Sequence, residues 1–175
     1  MLPESATKLL KSTRFLHLAT SYQDVPHVSL MNYTFYQDNG DDYVIITTPA
    51  NTTKYHNIKH NHRVSMLVHD WISAKPDDGN SSSGTSTGRR NSLYDLITNL
   101  NKTQLSSVSV MVDGEAEIVP ESDGRHKFYH SLHMNNQNID TQQLDNYVKA
   151  DTTELIVVKV TGCKITDTDN NVVEY

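Results

Sequence analysis

Four threonine hydroxyls and one lysine lie within residues 47–54 and could together bind a phosphate group. Two of the hydroxyls end a strand-like stretch, and the other two stand with the lysine where a helix is predicted to start: Thr47 and Thr48, then Thr52, Thr53 and Lys54. Hydroxyls, the free N–H groups of a helix N-terminus and a cation are the groups that bind a phosphate monoester. A plainer interpretation is that Thr52 only caps the helix and Lys54 is solvated, since threonine is a common N-cap.

Histidine clusters are a second feature with chemical potential. His56, His60 and His62 lie near each other in sequence, with His56 and His60 four residues apart, and a second cluster contains His126, His130 and His133. Two histidines so spaced on a helix can ligate a transition metal. No glutamate follows in a His-Glu-x-x-His arrangement, and the chain has a single cysteine. We therefore interpret the histidines as surface residues and predict no metal site.

Short strand-like stretches must position these side chains. The predicted strands are residues 15–20, 27–36, 43–48, 64–69, 107–112, 115–119 and 154–166, each rich in apolar or β-branched residues. Asn39-Gly40 predicts a tight hairpin between two of them, and Asp113-Gly114 predicts a second hairpin. Six or seven closely spaced strands indicate a mainly β fold, an antiparallel barrel with peripheral helices.

Helical patterns are few, and one segment lacks any pattern. Helices are predicted at residues 3–12, 52–62, 93–100, 123–132 and 144–148. Residues 73–91 are rich in Ser and Gly and carry almost no apolar side chains, so they cannot offset the entropy of ordering. We predict a single domain spanning residues 1–175, with a flexible insertion at residues 73–91.

Composition excludes several classes of protein. The chain has 175 residues, of which 36% are hydrophobic, and a formal net charge of −6. No apolar run approaches the length of about 20 residues that a membrane-spanning helix needs, and no secretory signal is evident. The acidic balance argues against nucleic-acid or anionic-membrane partners. Cys163 alone cannot form an internal disulfide, which fits a reducing compartment. We expect a cytoplasmic location, with a nuclear one also compatible.

Four segments in order resemble one protein family. Residues 15–36, with Ala19-Thr20 and Pro26-His27-Val28-Ser29, resemble its opening hairpin, and residues 47–54 resemble its Tyr-Thr and Ser-Arg-Lys phosphate motif. Residues 61–68 resemble its Asn-Pro-Arg-Val-Ser turn, and residues 110–117 resemble a later strand that ends Gly-x-Ala. This is the pyridoxamine 5′-phosphate oxidase-like family of FMN-binding split barrels, and the match spans most of residues 8–120.

The resemblance implies a split β-barrel with FMN bound at the interface of a homodimer. By position, three residues would bind the FMN phosphate: Thr52, Thr53 and Lys54. Thr47 and Thr48 would lie beside the ribityl chain or the ring. The isoalloxazine edge would be lined from the second strand by Ser29, Leu30, Met31 and Asn32. Ser109 stands where the family often has a glutamine from the partner subunit.

Two departures from the family pattern bear on activity. Thr53 replaces an arginine that is common in the phosphate motif, and no arginine follows Arg125. Pyridoxamine-phosphate oxidases end in an Arg- and Trp-rich segment that binds the substrate phosphate. A phosphate dianion is held poorly without the forked hydrogen bonds of such cationic side chains. The implied function is an FMN-binding oxidoreductase acting on an unidentified small molecule other than pyridoxamine phosphate. The alternatives are a flavin- or haem-binding module for sensing, storage or partner contact, and a barrel that has lost its cofactor.

Overall fold

The computed structural model describes residues 1–70, 108–136 and 153–175, which form one β-sheet and three helices. The helices are α1 (Glu4–Ser12), α2 (Thr53–His60) and α3 (His126–Asn136). The strands are β1 (Phe15–Tyr22), β2 (Val25–Asn32), β3 (Thr34–Asp38), β4 (Asp41–Pro49), β5 (Arg63–His69), β6 (Ser109–Val119), β7 (Thr153–Thr166) and β8 (Val172–Glu174).

All strand pairs in the described part of the chain are antiparallel. The strands follow the order β2-β1-β5-β6-β7-β4-β3, and β8 pairs with β7 beside this path. The sheet does not close, because β2 and β3 lie at its two ends although only Tyr33 separates them in sequence. The predicted mainly β, antiparallel split barrel with peripheral helices is therefore confirmed, with eight strands in the described ranges rather than six or seven.

The strand predicted at residues 27–36 is in fact two strands. The chain leaves the sheet at Tyr33, a buried residue between β2 and β3. Its hydroxyl donates to the carbonyl oxygen of Leu10 at 2.7 Å and lies 2.6 Å from Oγ1 of Thr13. These bonds tether the bend to the end of α1. The prediction of a single strand was wrong because the bend depends on Thr13 and Leu10, which lie 20 and 23 positions away in the sequence.

Of the two predicted hairpins, only the first exists. Asn39 and Gly40 have φ values of 49° and 89° and connect β3 to β4, as predicted. Asp113 and Gly114 instead continue through β6, where the register with β7 shifts. A Cβ on Gly114 would lie 2.5 Å from Cγ1 of Val158, so the glycine allows close approach of two strands rather than a turn.

Several predictions fall outside the described residues. They are the helices at residues 93–100 and 144–148, the insertion at residues 73–91 and the first residue of the strand at 107–112. The other three predicted helices correspond to α1, α2 and α3, with the last shifted toward the C-terminus. No described helix has the length and apolar character required to cross a bilayer.

The sheet has one covered face along its whole length and a second that is covered only in part. The inner face packs apolar side chains against α1 and against Ile58 of α2. On the outer face, α3 covers the β4 and β7 region, where Ile45 and Leu155 pack with Tyr129 and Leu132. The outer face of β2, β1 and β5 carries exposed apolar side chains: Val28, Leu30, Phe15 and Leu67.

Candidate functional site

The link between β4 and α2 is organised around the hydroxyl of Thr52. This residue is the N-cap of α2, and its Oγ1 accepts from the backbone N–H of Tyr55 at 3.4 Å. The same hydroxyl donates to the carbonyl oxygen of Pro49 at 2.9 Å, so Thr48 must be the donor in the 3.1 Å contact between the two threonine hydroxyls. Thr52 thus caps the helix, as the plainer interpretation held, and its single proton is already used.

Other donors at the start of α2 are free. The backbone N–H groups of Thr53 and Lys54 lie in the first turn, and neither finds an acceptor among the described residues. The Thr53 side chain is exposed. Unpaired N–H groups carry the positive end of the helix dipole. The first turn of α2 therefore offers two amide donors and one hydroxyl to an anion.

Lys54 adds a positive charge at the same place. Its side chain is half-buried and has no hydrogen bond or ion pair with any described residue. Burial lowers the pKa of its ammonium group because the charge is partly removed from water. An anion bound beside it would compensate that desolvation. The interpretation of Lys54 as a simply solvated residue does not fit this placement.

Two buried polar atoms on β2 also lack partners. They are Nδ1 of His27 and Oγ of Ser29, the buried side-chain atoms left unsatisfied in the described part of the chain. Both residues point to the inner face, since they pair with Thr20 and Leu18 of β1. Helix α2 contacts both strands, and Asn57 donates to Oγ1 of Thr20 at 3.1 Å. Unsatisfied buried polar atoms are costly, so these two fit a site that receives a polar ligand.

His27 was not among the predicted site residues. The sequence contained a usable signal, because residues two apart on a strand share a face and Ser29 was a predicted contact. The same alternation separates the four predicted residues of β2. Ser29 and Met31 face inward, whereas Leu30 and Asn32 face outward. Asn32 lines a separate cleft of about 270 Å³.

Strand alternation also separates the two threonines at the end of β4. Thr48 faces inward toward Thr52, whereas Oγ1 of Thr47 lies 3.4 Å from Nε2 of His133 on α3. Ser109 begins β6, opposite His69 on the outer face, and is likewise apart from this group. One protomer thus brings together the first turn of α2 and Thr48. Contacts of all the predicted site residues with a cofactor stay predictions, including those of Leu30, Asn32, Thr47 and Ser109, which lie apart from this group.

Two other features of the described residues are the histidine pairs and an open groove. No group of three or more His, Cys, Asp or Glu side chains in these residues could hold a metal ion. The rings of His56 and His60 lie 4.5 Å apart, and Nδ1 of His60 is 2.8 Å from the carbonyl oxygen of His56. The groove, of about 610 Å³, lies on β1, β5 and β6, where Ser65 donates to Asp113 at 2.5 Å.

Comparison with known proteins adds to this geometry. The family model described as pyridoxamine 5′-phosphate oxidase matches residues 2–166. A pyridoxamine 5′-phosphate oxidase homolog of Schizosaccharomyces pombe is 32% identical over 171 residues, covering 94% of this chain and 85% of the relative.

Solved structures show the same fold at lower identity. An FAD-binding protein from Mesorhizobium loti aligns with a TM-score of 0.60 and 18% identity, covering 94% of this chain and 92% of that one. HutZ, a haem storage protein from Vibrio cholerae, aligns with a TM-score of 0.56 and 16% identity, covering 93% and 94%. The family match over nearly the whole sequence, together with the split-barrel fold, leads to one conclusion: this chain belongs to the pyridoxamine 5′-phosphate oxidase-like family.

Proposed function

We propose that this protein binds FMN through the first turn of α2 and acts as an oxidoreductase on a small molecule other than pyridoxamine phosphate. The observation that carries the proposal is the half-buried Lys54 beside the free N–H groups of Thr53 and Lys54. A phosphate monoester would accept from these N–H groups and pair with the ammonium. Family membership supports a flavin as the molecule that carries this phosphate.

The residues present fit an FMN phosphate even though one common cation is missing. Thr53, which replaces the arginine, supplies a hydroxyl and an N–H in place of a guanidinium. His27 and Ser29 would hydrogen-bond the remainder of the cofactor with their unsatisfied atoms. When bound, the flavin supplies the electron-transfer chemistry, and the protein supplies binding, orientation and electrostatics.

A second copy of the chain completes the proposed site. Val28 and Leu30 of β2 and Leu67 of β5 expose 63%, 61% and 37% of their surfaces on the outer face, with β1 between the two strands. Several exposed apolar side chains on one face indicate an interaction surface, and two-fold pairing is the commonest way to cover it. Ser109 lies on the same face. In a homodimer, Ser109 would be available to the partner's cofactor.

Haem binding is a second candidate, and one observation favours it. The rings of His17 and His69 stack at 5.8 Å on the outer face. His17 pairs with Leu30 on one side and Leu67 on the other, so the imidazoles stand among apolar side chains. Imidazole within an apolar surface is a common setting for haem iron. The haem storage protein with the same fold is consistent with this candidate.

The cofactor of the purified protein tests these proposals. The protein is purified without added cofactor, its visible spectrum is recorded, and FMN and riboflavin are then titrated separately against it. We expect a flavin spectrum, and FMN binding at least about tenfold tighter than riboflavin, because riboflavin lacks the phosphate. Equal affinity for the two flavins would refute the phosphate site, and a Soret band without flavin binding would favour haem.

A further inference from the structure

Helix α3 is anchored to the sheet through one buried histidine. His133 of α3 is fully buried where the helix packs on the outer face of β3 and β4. Its Nδ1 lies 3.0 Å from Oγ1 of Thr34, the first residue of β3, and its Nε2 lies 3.4 Å from Oγ1 of Thr47 near the end of β4. One imidazole therefore connects both strands to the helix.

Both of these hydrogen bonds of the His133 ring are formed with threonine hydroxyls, which can donate or accept. Nδ2 of Asn136 donates to Oγ1 of Thr34 at 3.3 Å, so Thr34 is bonded to two residues of α3. The Thr47 hydroxyl is bonded to the same ring through Nε2.

The end of β4 is thus held from both faces. Thr47 is bonded on the outer face by His133, and the next residue, Thr48, donates on the inner face to Thr52, the N-cap of α2. A shift or rotation of the strand end would move both hydroxyls, since consecutive side chains of a strand share one backbone. The outer bond therefore bears on the position of the α2 start.

We propose that His133 is a positioning residue for the phosphate site: through Thr47 it fixes the end of β4, and so the first turn of α2. The identity of the ligand rests on the proposed function, but the claim that His133 fixes the end of β4 does not. The proposed role acts through Thr47 and requires no contact between His133 and the phosphate. The interpretation of the clustered histidines as surface residues is wrong for His133, which is fully buried. Sequence spacing could not show this, because Thr34 and Thr47 precede His133 by 99 and 86 residues.

The test compares variants of two histidines of α3. His133→Leu fills the space without hydrogen bonding, and His133→Gln retains a donor and an acceptor. His130→Leu is the matched control, since His130 is exposed one turn earlier on the same helix. We expect His133→Leu to weaken FMN binding about five- to tenfold while riboflavin affinity changes less than about twofold. His133→Gln should recover most of the loss, and His130→Leu should match the parent.

A second readout needs no flavin. Amide hydrogen exchange at residues 48–55 should accelerate in His133→Leu and not in His130→Leu, because the β4 end loses its side-chain hydrogen bond to α3 and keeps its pairing with β7. Unchanged exchange there in a folded variant would overturn the proposal, and so would an equal loss of FMN and riboflavin affinity. Failure of the parent to prefer FMN, with accelerated exchange in His133→Leu, would refute the phosphate site and leave the positioning role standing.

Discussion

Thr47 and Thr48 are consecutive residues of β4, yet their hydroxyls belong to different hydrogen-bond networks on opposite faces of the sheet. Thr47 contacts His133 of α3 on the outer face, and Thr48 contacts Thr52 at the start of α2 on the inner face. Helices α2 and α3 are therefore both coupled to the same end of β4 by side-chain hydrogen bonds.

Stability should fall in mild acid because of His133. Burial, with a smaller contribution from the charge of His130, lowers its pKa from 6.5 to about 4. The folded-state pKa is the lower one, so between these values the unfolded chain binds a proton that the folded chain does not. The contribution of neutral His133 to the free energy of unfolding is fully present above about pH 6.5 and is lost progressively toward pH 4, up to about 3 kcal/mol.

Chemical denaturation of parent and His133→Gln at several pH values measures this effect. The variant removes the titrating group while Asp and Glu contributions stay common to both proteins. We expect the unfolding free energy to fall more for the parent than for His133→Gln between pH 7 and pH 4.5. Parallel pH profiles for the two proteins would show that His133 is not buried in its neutral form.

Gly114 should tolerate no side chain. A Cβ there would lie 2.5 Å from Cγ1 of Val158 and 2.8 Å from the backbone oxygen of Lys159. Gly114→Ala forces two strands apart and should cost about 1–3 kcal/mol. Gly124→Ala is the matched control, since nothing lies within 4 Å of its added Cβ. The denaturation midpoint should drop only for the first variant, and equal midpoints would contradict the packing at the bulge.

The turn between β1 and β2 should be improved by a single glycine. Gln23 and Asp24 both adopt left-handed conformations, with φ values of 50° and 63°. Side chains disfavour this region, whereas glycine enters it freely. We expect Asp24→Gly to raise the unfolding free energy by about 0.5 kcal/mol. The reverse change in the other hairpin, Gly40→Ala at φ 89°, should lower it by about 1 kcal/mol. A loss of stability in Asp24→Gly would refute this account of the turn.

Homodimer formation should depend on the outer face of β2. Light scattering is expected to give twice the mass of one 175-residue chain. Val28→Glu would bury an unpaired carboxylate in the proposed interface and should yield monomers. Phe128→Glu is the control, because Phe128 is half exposed on α3, outside that face. A monomeric parent, or a Val28→Glu variant that remains dimeric, would exclude this interface.

Local patterns predicted the strands well, since alternation and β-branched residues are properties of the segments themselves. The bend at Tyr33 was missed because it depends on bonds to Leu10 and Thr13. The prediction of a turn at Asp113-Gly114 was wrong because glycine also occurs where two backbones approach closely. In each case, the deciding contact lies far away in sequence or on another strand.

The candidate site was predictable in part for similar reasons. The N-cap at Thr52 is a local feature, and its position was evident from residue types. The partial burial of Lys54 depends on the packing of the folded chain, which no spacing rule supplies. Placing Thr47 and Thr48 together ignored strand alternation, which the sequence already contained.

The central claim is that the start of α2 binds the phosphate of a flavin nucleotide, and a pair of lysine variants tests it most directly. Lys54 is half-buried in the first turn, whereas Lys59 is exposed in the last turn of the same eight-residue helix. FMN affinity is measured by fluorescence titration for the parent, Lys54→Ala and Lys59→Ala. We predict a loss of about 10- to 100-fold for Lys54→Ala and parental affinity for Lys59→Ala. Equal FMN affinity in all three proteins would contradict the account.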